Sequence, residues 1–277
     1  MTIDEFIKNA VLEDIGDGDH TSDACVPENA IGRARIYVKE NGVLAGTGIA
    51  EHIFYYIDPN LQVNVQIQEG NAVSKGDVAI QISGHTRSIL KAERLALNCM
   101  QRMSGIATLT NRVVKELEGT RTKVLDTRKT TPGIRFLEKL AVQIGGGVNH
   151  RFGLYDMMMI KDNHIDYAGG IEAAILSCDE YRKNLQLPIA LEIEARNLDE
   201  LKEILAVGRV DRVMLDNFNY DDLREAVAMI DGKHETEASG NITIDTARNY
   251  AECGVDYISM GALTHSVKSL DISLKAY

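Results

Sequence analysis

Six short apolar runs recur between residues 124 and 262, and each ends in a cluster of polar residues. They read VLDTRK, MMMIKDNH, IALEIEA, RVMLDNF, HETEASG and DYISMGA, and successive runs begin about 20 to 33 residues apart. That interval is the length of a strand-helix-strand unit. Strands that run the same way must be joined by crossover segments, which are usually helices, so this repeat leaves the chain few possible folds.

Amphipathic segments fill the intervals between these runs, at 171–184, 198–207, 220–230 and 244–253. In the segment 220–230, apolar residues have the i, i+3, i+4, i+7 spacing of a helix that buries one face. We therefore predict an α/β protein whose larger part is an incomplete βα barrel of six to seven strands, smaller than the usual eight-stranded form.

The first third of the chain has a different hydrophobic pattern, because apolar and polar residues alternate strictly from Leu61 to Gln68. This alternation, with similar runs at ARIYVKE, GVLAG and DVAIQISG, is typical of an antiparallel sheet with one buried face. Helices are predicted at 3–12, at 49–57 and from residue 90 onward, the last interrupted at Ser104-Gly105. The predicted domains are an open α/β sandwich at 1–105 and the barrel at 106–264, with a return of 265–277 to the sandwich left open.

The composition narrows the possible partners. A net charge of −11 argues against a nucleic-acid or anionic-membrane surface as the main partner. The 4 cysteines are spread singly, which indicates neither a zinc site nor a disulfide framework and favours a reducing cytoplasm. We expect no signal sequence and no membrane span, because no apolar run is long enough. The acidic loop DIGDGDHTSD lacks calcium-loop spacing and is predicted to be a solvated or capping loop.

Cationic side chains are concentrated between Val124 and Ile165, although the protein as a whole is acidic. Several of them follow directly on apolar runs, so a barrel would place them at strand ends, where ligands bind. Carboxylates at the middle strand ends could hold Mg²⁺ through water, and the glycine-rich runs EASGN and SMGALTHS are typical of a phosphate site. Together, the cations, the carboxylates and the glycine-rich runs predict a phosphorylated, Mg²⁺-bound substrate that is joined to an organic acid.

Six segments, in the right order, resemble the quinolinate phosphoribosyltransferase family: LDTRKTTPG, GGGVNHR, IKDNHI, LDNF, EASGN and SMGALTHS. The resemblance extends from the DIGDGDHTSD loop to Ser266, nearly the whole chain. It implies a glycosyltransferase of NAD biosynthesis that joins quinolinate to phosphoribosyl pyrophosphate and yields nicotinate mononucleotide, CO2 and pyrophosphate. It also implies Mg²⁺ as cofactor and a homodimer, or a larger assembly, with a shared active site.

The resemblance also implies roles for individual residues. Those expected to hold quinolinate are Arg94, from the neighbouring subunit, and Arg128, His150, Arg151 and Lys161. Those expected to contact phosphoribosyl pyrophosphate are Lys129, Glu194, Asp216, Ser239, Gly240, Gly261 and His265. Lys129, Lys161, Glu194 and Asp216 are the expected catalytic residues, and Glu194 and Asp216 the expected Mg²⁺ ligands. One residue of extra length around Val207-Gly208-Arg209 leaves open whether Glu192 or Glu194 faces the site.

Three other functions fit parts of the pattern. An aldolase-like barrel could use Lys161 as a Schiff-base amine, because a lysine at a strand end permits that chemistry. A related phosphoribosyltransferase could use a different acid, like the relatives associated with molybdate transport. A non-catalytic metabolite-binding protein could keep the anion site, but it would have no need for the two carboxylates.

Overall fold

The structure is a computed structural model that describes residues 2–186 and 188–277. The chain forms two compact units. The first comprises Met1–Asn111, Thr130–Gly146 and Leu263–Tyr277, and the second comprises Arg112–Lys129 and Gly147–Ala262. The domain bounds drawn from the sequence stay a prediction beside this division.

The described residues contain twelve strands and eleven helices. The strands are β1 (Ile31–Val38), β2 (Gly42–Val43), β3 (Gln62–Val65), β4 (Ala72–Val73), β5 (Val78–His85), β6 (Lys123–Leu125), β7 (Met157–Ile160), β8 (Ala190–Ala195), β9 (Arg212–Asp216), β10 (Glu235–Ser239), β11 (Tyr257–Ser259) and β12 (Ile272–Ala276). The helices are α1 (Ile3–Ile15), α2 (His20–Cys25), α3 (Thr47–Ile57), α4 (Thr86–Glu116), α5 (Arg135–Ile144), α6 (Asp162–Ala168), α7 (Ile171–Asn184), α8 (Leu198–Val207), α9 (Tyr220–Ile230), α10 (Ile244–Glu252) and α11 (Ala262–His265).

An antiparallel sheet of order β12-β1-β5-β3 organises the first unit. The C-terminal strand β12 pairs with β1, with Ile36 opposite Leu274. Leu61 and Val63 are buried while Gln62 and Asn64 are exposed, so the alternation in the sequence corresponds to two faces of one strand. Helix α2 starts inside the acidic loop, where the Asp19 side chain accepts a hydrogen bond from the Ser22 amide at 3.0 Å, the predicted capping function.

The predicted break at Ser104-Gly105 is wrong, because α4 continues unbroken from Thr86 to Glu116. A Cβ on Gly105 would lie 2.3 Å from the backbone oxygen of Lys268, so glycine is there to let another segment of the first unit pass close to the helix. The Ser104 hydroxyl donates to the backbone oxygen of Ala45 at 3.0 Å, which satisfies a buried polar group beside it. Packing explains this Ser-Gly pair, whereas local propensity suggested a helix end.

A six-stranded parallel sheet of order β6-β11-β10-β9-β8-β7 forms the second unit and confirms the predicted set of six strands. Strands β7 to β11 follow chain order, and β6 then lies beside β11 although it precedes β7 in the chain. This cyclic order is that of an incomplete barrel open between β6 and β7, where a single parallel bridge joins Leu125 to Val148. Helices α7 to α10 are the crossovers between successive strands.

Within the described residues, every helix is too short or too polar to cross a lipid bilayer.

Candidate active site

The carboxyl ends of the six parallel strands bring most of the predicted residues to one edge of the second unit. Because parallel strands all point the same way, the residues at their ends lie along the same edge. In chain order, from the end of β6 to the end of β11, these residues are Arg128 and Lys129, Lys161, Glu194, Asp216, Ser239 and Gly240, and Gly261.

Lys161 and Glu194 form an ion pair across two neighbouring strands. Lys161 follows the last residue of β7, and its Nζ lies 2.7 Å from Oε2 of Glu194 on β8. The Lys161 side chain is 44% exposed and that of Glu194 only 11%, so the ammonium remains open to solvent while the carboxylate lies behind it. The ammonium group has three hydrogens, so those not donated to Glu194 can bind an anion.

Asp216, Ser239 and Gly240 form a second group, at the ends of β9 and β10. The Ser239 hydroxyl donates a short hydrogen bond to one Asp216 oxygen, and Nδ2 of Asn217 donates to the other at 2.6 Å. Gly240 has a φ of +100°, and a Cβ there would lie 2.2 Å from Oδ1 of Asn217. Only glycine fits this turn, because any other side chain would meet Asn217.

His150 lies deeper, inside the sheet, and contacts carboxylates from two strands. Its Nε2 is 3.0 Å from Oε2 of Glu192 on β8 and 3.3 Å from Oε2 of Glu237 on β10. The histidine side chain is 5% exposed and both carboxylates are fully buried. The three ligand atoms lie within 4.8 Å of one another, close enough for a metal ion. A hydrogen on Nε2 already accounts for the two short separations, so the contacts require no ion.

This buried trio retains a proton that separate groups would lose. Burial and the charge of Glu237 raise the pKa of Glu192 to about 7. Burial likewise opposes ionisation of Glu237, yet His150 and Arg212 keep the Glu237 pKa below its ordinary value. The group therefore holds two carboxyls and an imidazole with less net charge than their number suggests.

Arg151 follows His150 and is fixed at both ends. Its backbone amide donates to Nδ1 of His150 at 2.6 Å, and its Nη1 donates to the Met157 backbone oxygen at 3.1 Å. Burial and the neighbouring positive charge of Arg128 lower the pKa of Arg151. Two guanidinium groups that repel each other at the edge of an acidic protein are arranged for an anion that binds both.

Two family models match this chain along nearly all of its length. The model for the C-terminal domain of quinolinate phosphoribosyl transferase matches residues 106–275, and that for the N-terminal domain matches residues 19–104. The chain belongs to the quinolinate phosphoribosyltransferase family. Its incomplete barrel and its antiparallel first unit correspond to the fold that the resemblance implied.

Relatives of this quinolinate phosphoribosyltransferase family member are closely similar over its whole length. A nicotinate-nucleotide pyrophosphorylase (carboxylating) of Arabidopsis thaliana, described as chloroplastic, is 47% identical over 97% of the chain and 81% of the relative. A protein of Bacillus subtilis, described as a probable enzyme of the same kind, is 42% identical over 99% of the chain and 93% of the relative. The crystal structure of NadC from Streptococcus pyogenes superposes with a TM-score of 0.93 at 39% identity, over 99% of this chain and 95% of that one.

Two residues that the family resemblance singled out belong to the first unit. Arg94 is exposed on α4, and His265 is exposed at the end of α11, where its Nδ1 lies 2.6 Å from the Ser266 hydroxyl. Neither is among the residues that the second unit gathers at its strand ends.

Sequence reasoning missed two residues that hold segments of the first unit in place, Arg102 and Glu138. Glu138 of α5 is fully buried and accepts hydrogen bonds from Arg102 of α4, at 2.7 Å, and from the Thr131 amide, at 3.0 Å. Arg102 also donates to the backbone oxygens of Thr264 and Val267. The ion pair thereby ties the TTPG turn to the THS segment inside the first unit. Nothing in the helical pattern marked Glu138 as buried or Arg102 as its partner.

Glu192 and Glu194 have different neighbours. Both lie on the same face of β8, because alternate residues of a strand point the same way. Glu194, nearer the strand end, pairs with Lys161, whereas Glu192 lies deeper against His150. Which of the two faces a ligand stays a prediction. The period of two could have identified Glu192 and Glu237 as inward-facing, but buried acids go against the usual expectation for carboxylates.

Proposed function

We propose that this chain is a quinolinate phosphoribosyltransferase of NAD biosynthesis. It converts quinolinate and phosphoribosyl pyrophosphate to nicotinate mononucleotide, CO2 and pyrophosphate. The observation that supports this assignment most is the array at the strand ends of the second unit, where Arg128, Arg151 and Lys161 stand at the same edge as Glu194 and Asp216. An acidic protein that belongs to this family and gathers cations and carboxylates in this way is suited to a dicarboxylate beside a sugar phosphate.

Quinolinate is bound by charge and by geometry. It carries two adjacent carboxylates, and a guanidinium can hold a carboxylate through two parallel hydrogen bonds. We assign Arg128 and Arg151 to this task, because their mutual repulsion is relieved by a dianion. Lys161 adds a third positive charge, directed outward by Glu194. The pyridine nitrogen is thereby held still for attack on the sugar.

The first chemical step joins the ring nitrogen to the anomeric carbon of the ribose. The nitrogen lone pair forms the new bond while the bond from that carbon to the pyrophosphate oxygen breaks, and pyrophosphate leaves with the electron pair. Positive charge builds on the ribose in the transition state, so a nearby carboxylate stabilises it. Asp216 is our candidate, with Ser239 and Asn217 fixing both of its oxygens. Lys129, Gly240 and Gly261, all in the second unit, are proposed to hold the phosphates.

The second step loses CO2. Once alkylated, the ring nitrogen is cationic, so the bond to the adjacent carboxylate can break with its electrons left on the ring carbon. That carbon then takes a proton and CO2 departs. The positive nitrogen stabilises the carbanion, and this step requires no acid or base from the protein. The protein contributes orientation and the charge of its cations.

Mg²⁺ fits the donor set as a proposed cofactor. Glu194 and Asp216 supply oxygen ligands, which Mg²⁺ prefers, but their oxygens are already hydrogen-bonded to Lys161, Ser239 and Asn217. Contact through water therefore suits these residues better than direct coordination. When bound, the ion would neutralise the leaving pyrophosphate. We further propose a cytoplasmic homodimer in which Arg94 acts on the neighbouring subunit's site.

The Schiff-base alternative is disfavoured by the state of Lys161. An amine that attacks a carbonyl must have a free lone pair directed at it, and Nζ of Lys161 is instead hydrogen-bonded to Glu194 at 2.7 Å. A different acid substrate for the same chemistry is excluded only by assay. Purified protein should release CO2 and pyrophosphate in equal amounts from quinolinate, phosphoribosyl pyrophosphate and Mg²⁺, and should release neither with nicotinate in place of quinolinate. Turnover of nicotinate, or none of quinolinate, would overturn the proposal.

A further inference from the structure

Both ring nitrogens of His150 are engaged by the protein itself. The Arg151 amide donates to Nδ1 at 2.6 Å, and the buried carboxylates of Glu192 and Glu237 lie at 3.0 and 3.3 Å from Nε2. The ring is 5% exposed, and the acids that face it are fully buried. A ligand at the strand ends is thus offered the backbone around His150, while the polar atoms of its ring point inward.

The ring cannot easily turn outward. Rotation would leave two fully buried carboxylates facing each other, and an uncompensated buried charge is strongly destabilising. Arg212 meets Glu237 at 3.4 Å but makes no comparable contact with Glu192 in the described part of the chain. Among the residues that the structure describes, Glu192 has no hydrogen-bond partner for either oxygen beyond its approach to His150. The imidazole is therefore held where it is by the acids behind it.

The immobilised ring fixes the start of Arg151. Nδ1 of His150 holds the Arg151 amide, and the His150 amide donates to Oδ1 of the fully buried Asp126 at 2.9 Å. Two successive backbone amides are thus bound to side chains that cannot move. Since a guanidinium must meet a carboxylate within a few tenths of an ångström to form both hydrogen bonds, this anchoring sets where the Arg151 fork lies.

The charges around His150 and Arg151 support the same conclusion as the distances. A carboxylate of quinolinate gains little from an imidazole whose nearest charges are already two carboxylates, whereas Arg151 has no carboxylate bound to its guanidinium among the contacts of the described residues. We propose that His150 is a positioning residue that acts on quinolinate through Arg151, with Glu192 and Glu237 fixing its ring, and that its side chain does not contact the substrate. This inference rests on the proposed function.

A double-mutant cycle tests the inference. The variants are His150→Gln, Arg151→Ala and the double variant, compared through kcat/KM for quinolinate, followed by release of labelled CO2 so that very low activities remain measurable. If His150 acts only through Arg151, each single substitution lowers kcat/KM, by about 10-fold or more, and the double variant matches Arg151→Ala within about 2-fold. If the imidazole binds quinolinate itself, the two losses multiply, and the inference is wrong.

Conservative changes of the acids protect the test against a general loss of structure. Glu192→Gln and Glu237→Gln keep the shape and the acceptor oxygen, and we expect each to raise the KM for quinolinate several-fold while the KM for phosphoribosyl pyrophosphate stays within about 2-fold. Equal effects on both substrates would indicate a purely structural trio and would contradict the positioning role. Wild-type protein that fails to turn over quinolinate would overturn the proposed function instead, so the two failures are distinguishable.

Discussion

At the scale of single residues, the site depends on side chains whose partners restrict what they can do. Lys161 is paired with Glu194, Asp216 is oriented by Ser239 and Asn217, and His150 is held by buried acids. In each case a second side chain fixes the first. The roles proposed for Lys161 and Asp216 can be tested by substitution without disturbing the fold, because the contacts that support these side chains are local.

Asp216→Asn should impair phosphoribosyl transfer. The amide keeps the size of the side chain but removes the negative charge proposed to stabilise the ribose cation, so we expect kcat to fall by about 100-fold. Asp222→Asn, in the first turn of α9 and near Asp216 in the chain, is the matched control and should stay within about 2-fold of wild type. Steady-state kinetics decides between them, and equal activity in both variants would argue against a role for Asp216.

The contribution of Glu192 to the stability of the protein should fall as the pH rises from about 4.3 to about 7. The folded-state pKa of Glu192 is raised to about 7, so the contribution of its protonated form is fully present below the unfolded pKa of about 4.3 and is lost as the pH passes through 7. The slope is at most about 1.4 kcal/mol per pH unit. Denaturant unfolding at several pH values should show a smaller fall over this range for Glu192→Gln than for wild type. Identical slopes in the two proteins would show that the trio holds no such proton.

At the scale of secondary structure elements, a polar contact between two helices holds two segments of the first unit in place. Glu138 on α5 takes hydrogen bonds from Arg102 on α4 and from Thr131, so two helices and a turn share one carboxylate. Arg102 in turn donates to the backbone beside His265. A single ion pair thus sets the shape of two segments of the first unit at once.

Glu138→Gln should destabilise the protein by about 2 kcal/mol or more. The change leaves the Arg102 charge without its carboxylate and weakens the hydrogen bonds to Thr131. Glu252→Gln is a suitable control, because that carboxylate also pairs with an arginine at 2.8 Å but lies exposed; its loss should cost less than about 0.5 kcal/mol. Urea unfolding measures both. A similar cost for the two variants would mean that burial adds nothing to the Glu138 pair.

The sequence predicted the elements better than it predicted their contacts. The strand ends carrying Lys161 and Asp216 were found because a parallel repeat fixes which residues share an edge. The break at Ser104-Gly105 was wrong because a glycine needed for close approach to Lys268 looks, in sequence, like a helix end. Arg102 and Glu138 were missed because charged residues in a helix are usually at the surface, and only the fold brings these two together.

At the scale of the whole molecule, the assembly proposed here is a homodimer with Arg94 acting across subunits. Neither variant alone would have an intact site: Arg94→Ala lacks the arginine, and Lys161→Ala lacks the strand-end cation. Mixed after subunit exchange, they should form hybrid dimers with one complete site and recover activity up to about a quarter of the wild-type value by random pairing. Light scattering reports the assembly. No recovery after demonstrated exchange would place Arg94 on its own subunit's site or outside it.

The division into units also limits what sequence reasoning could give. The segment Thr130–Gly146 clusters with the first unit although it lies between two strands of the second, and β12 pairs with β1 from the opposite end of the chain. Pairings this distant in sequence leave no local pattern. The family resemblance could be recognised from the sequence because its residues lie in short motifs. The bounds of the two units have no comparable local signal.

The central claim is that cations at the strand ends of the second unit bind quinolinate, and one comparison of two lysine variants tests it most directly. Lys161 and Lys183 each pair with a carboxylate, at 2.7 Å and 2.6 Å. Lys161 directly follows β7, whereas Lys183 lies in the last turn of α7. Calorimetric titration with quinolinate should show affinity reduced about 100-fold or more in Lys161→Met and unchanged in Lys183→Met. Wild-type affinity in Lys161→Met, or an equal loss in both variants, would contradict the account.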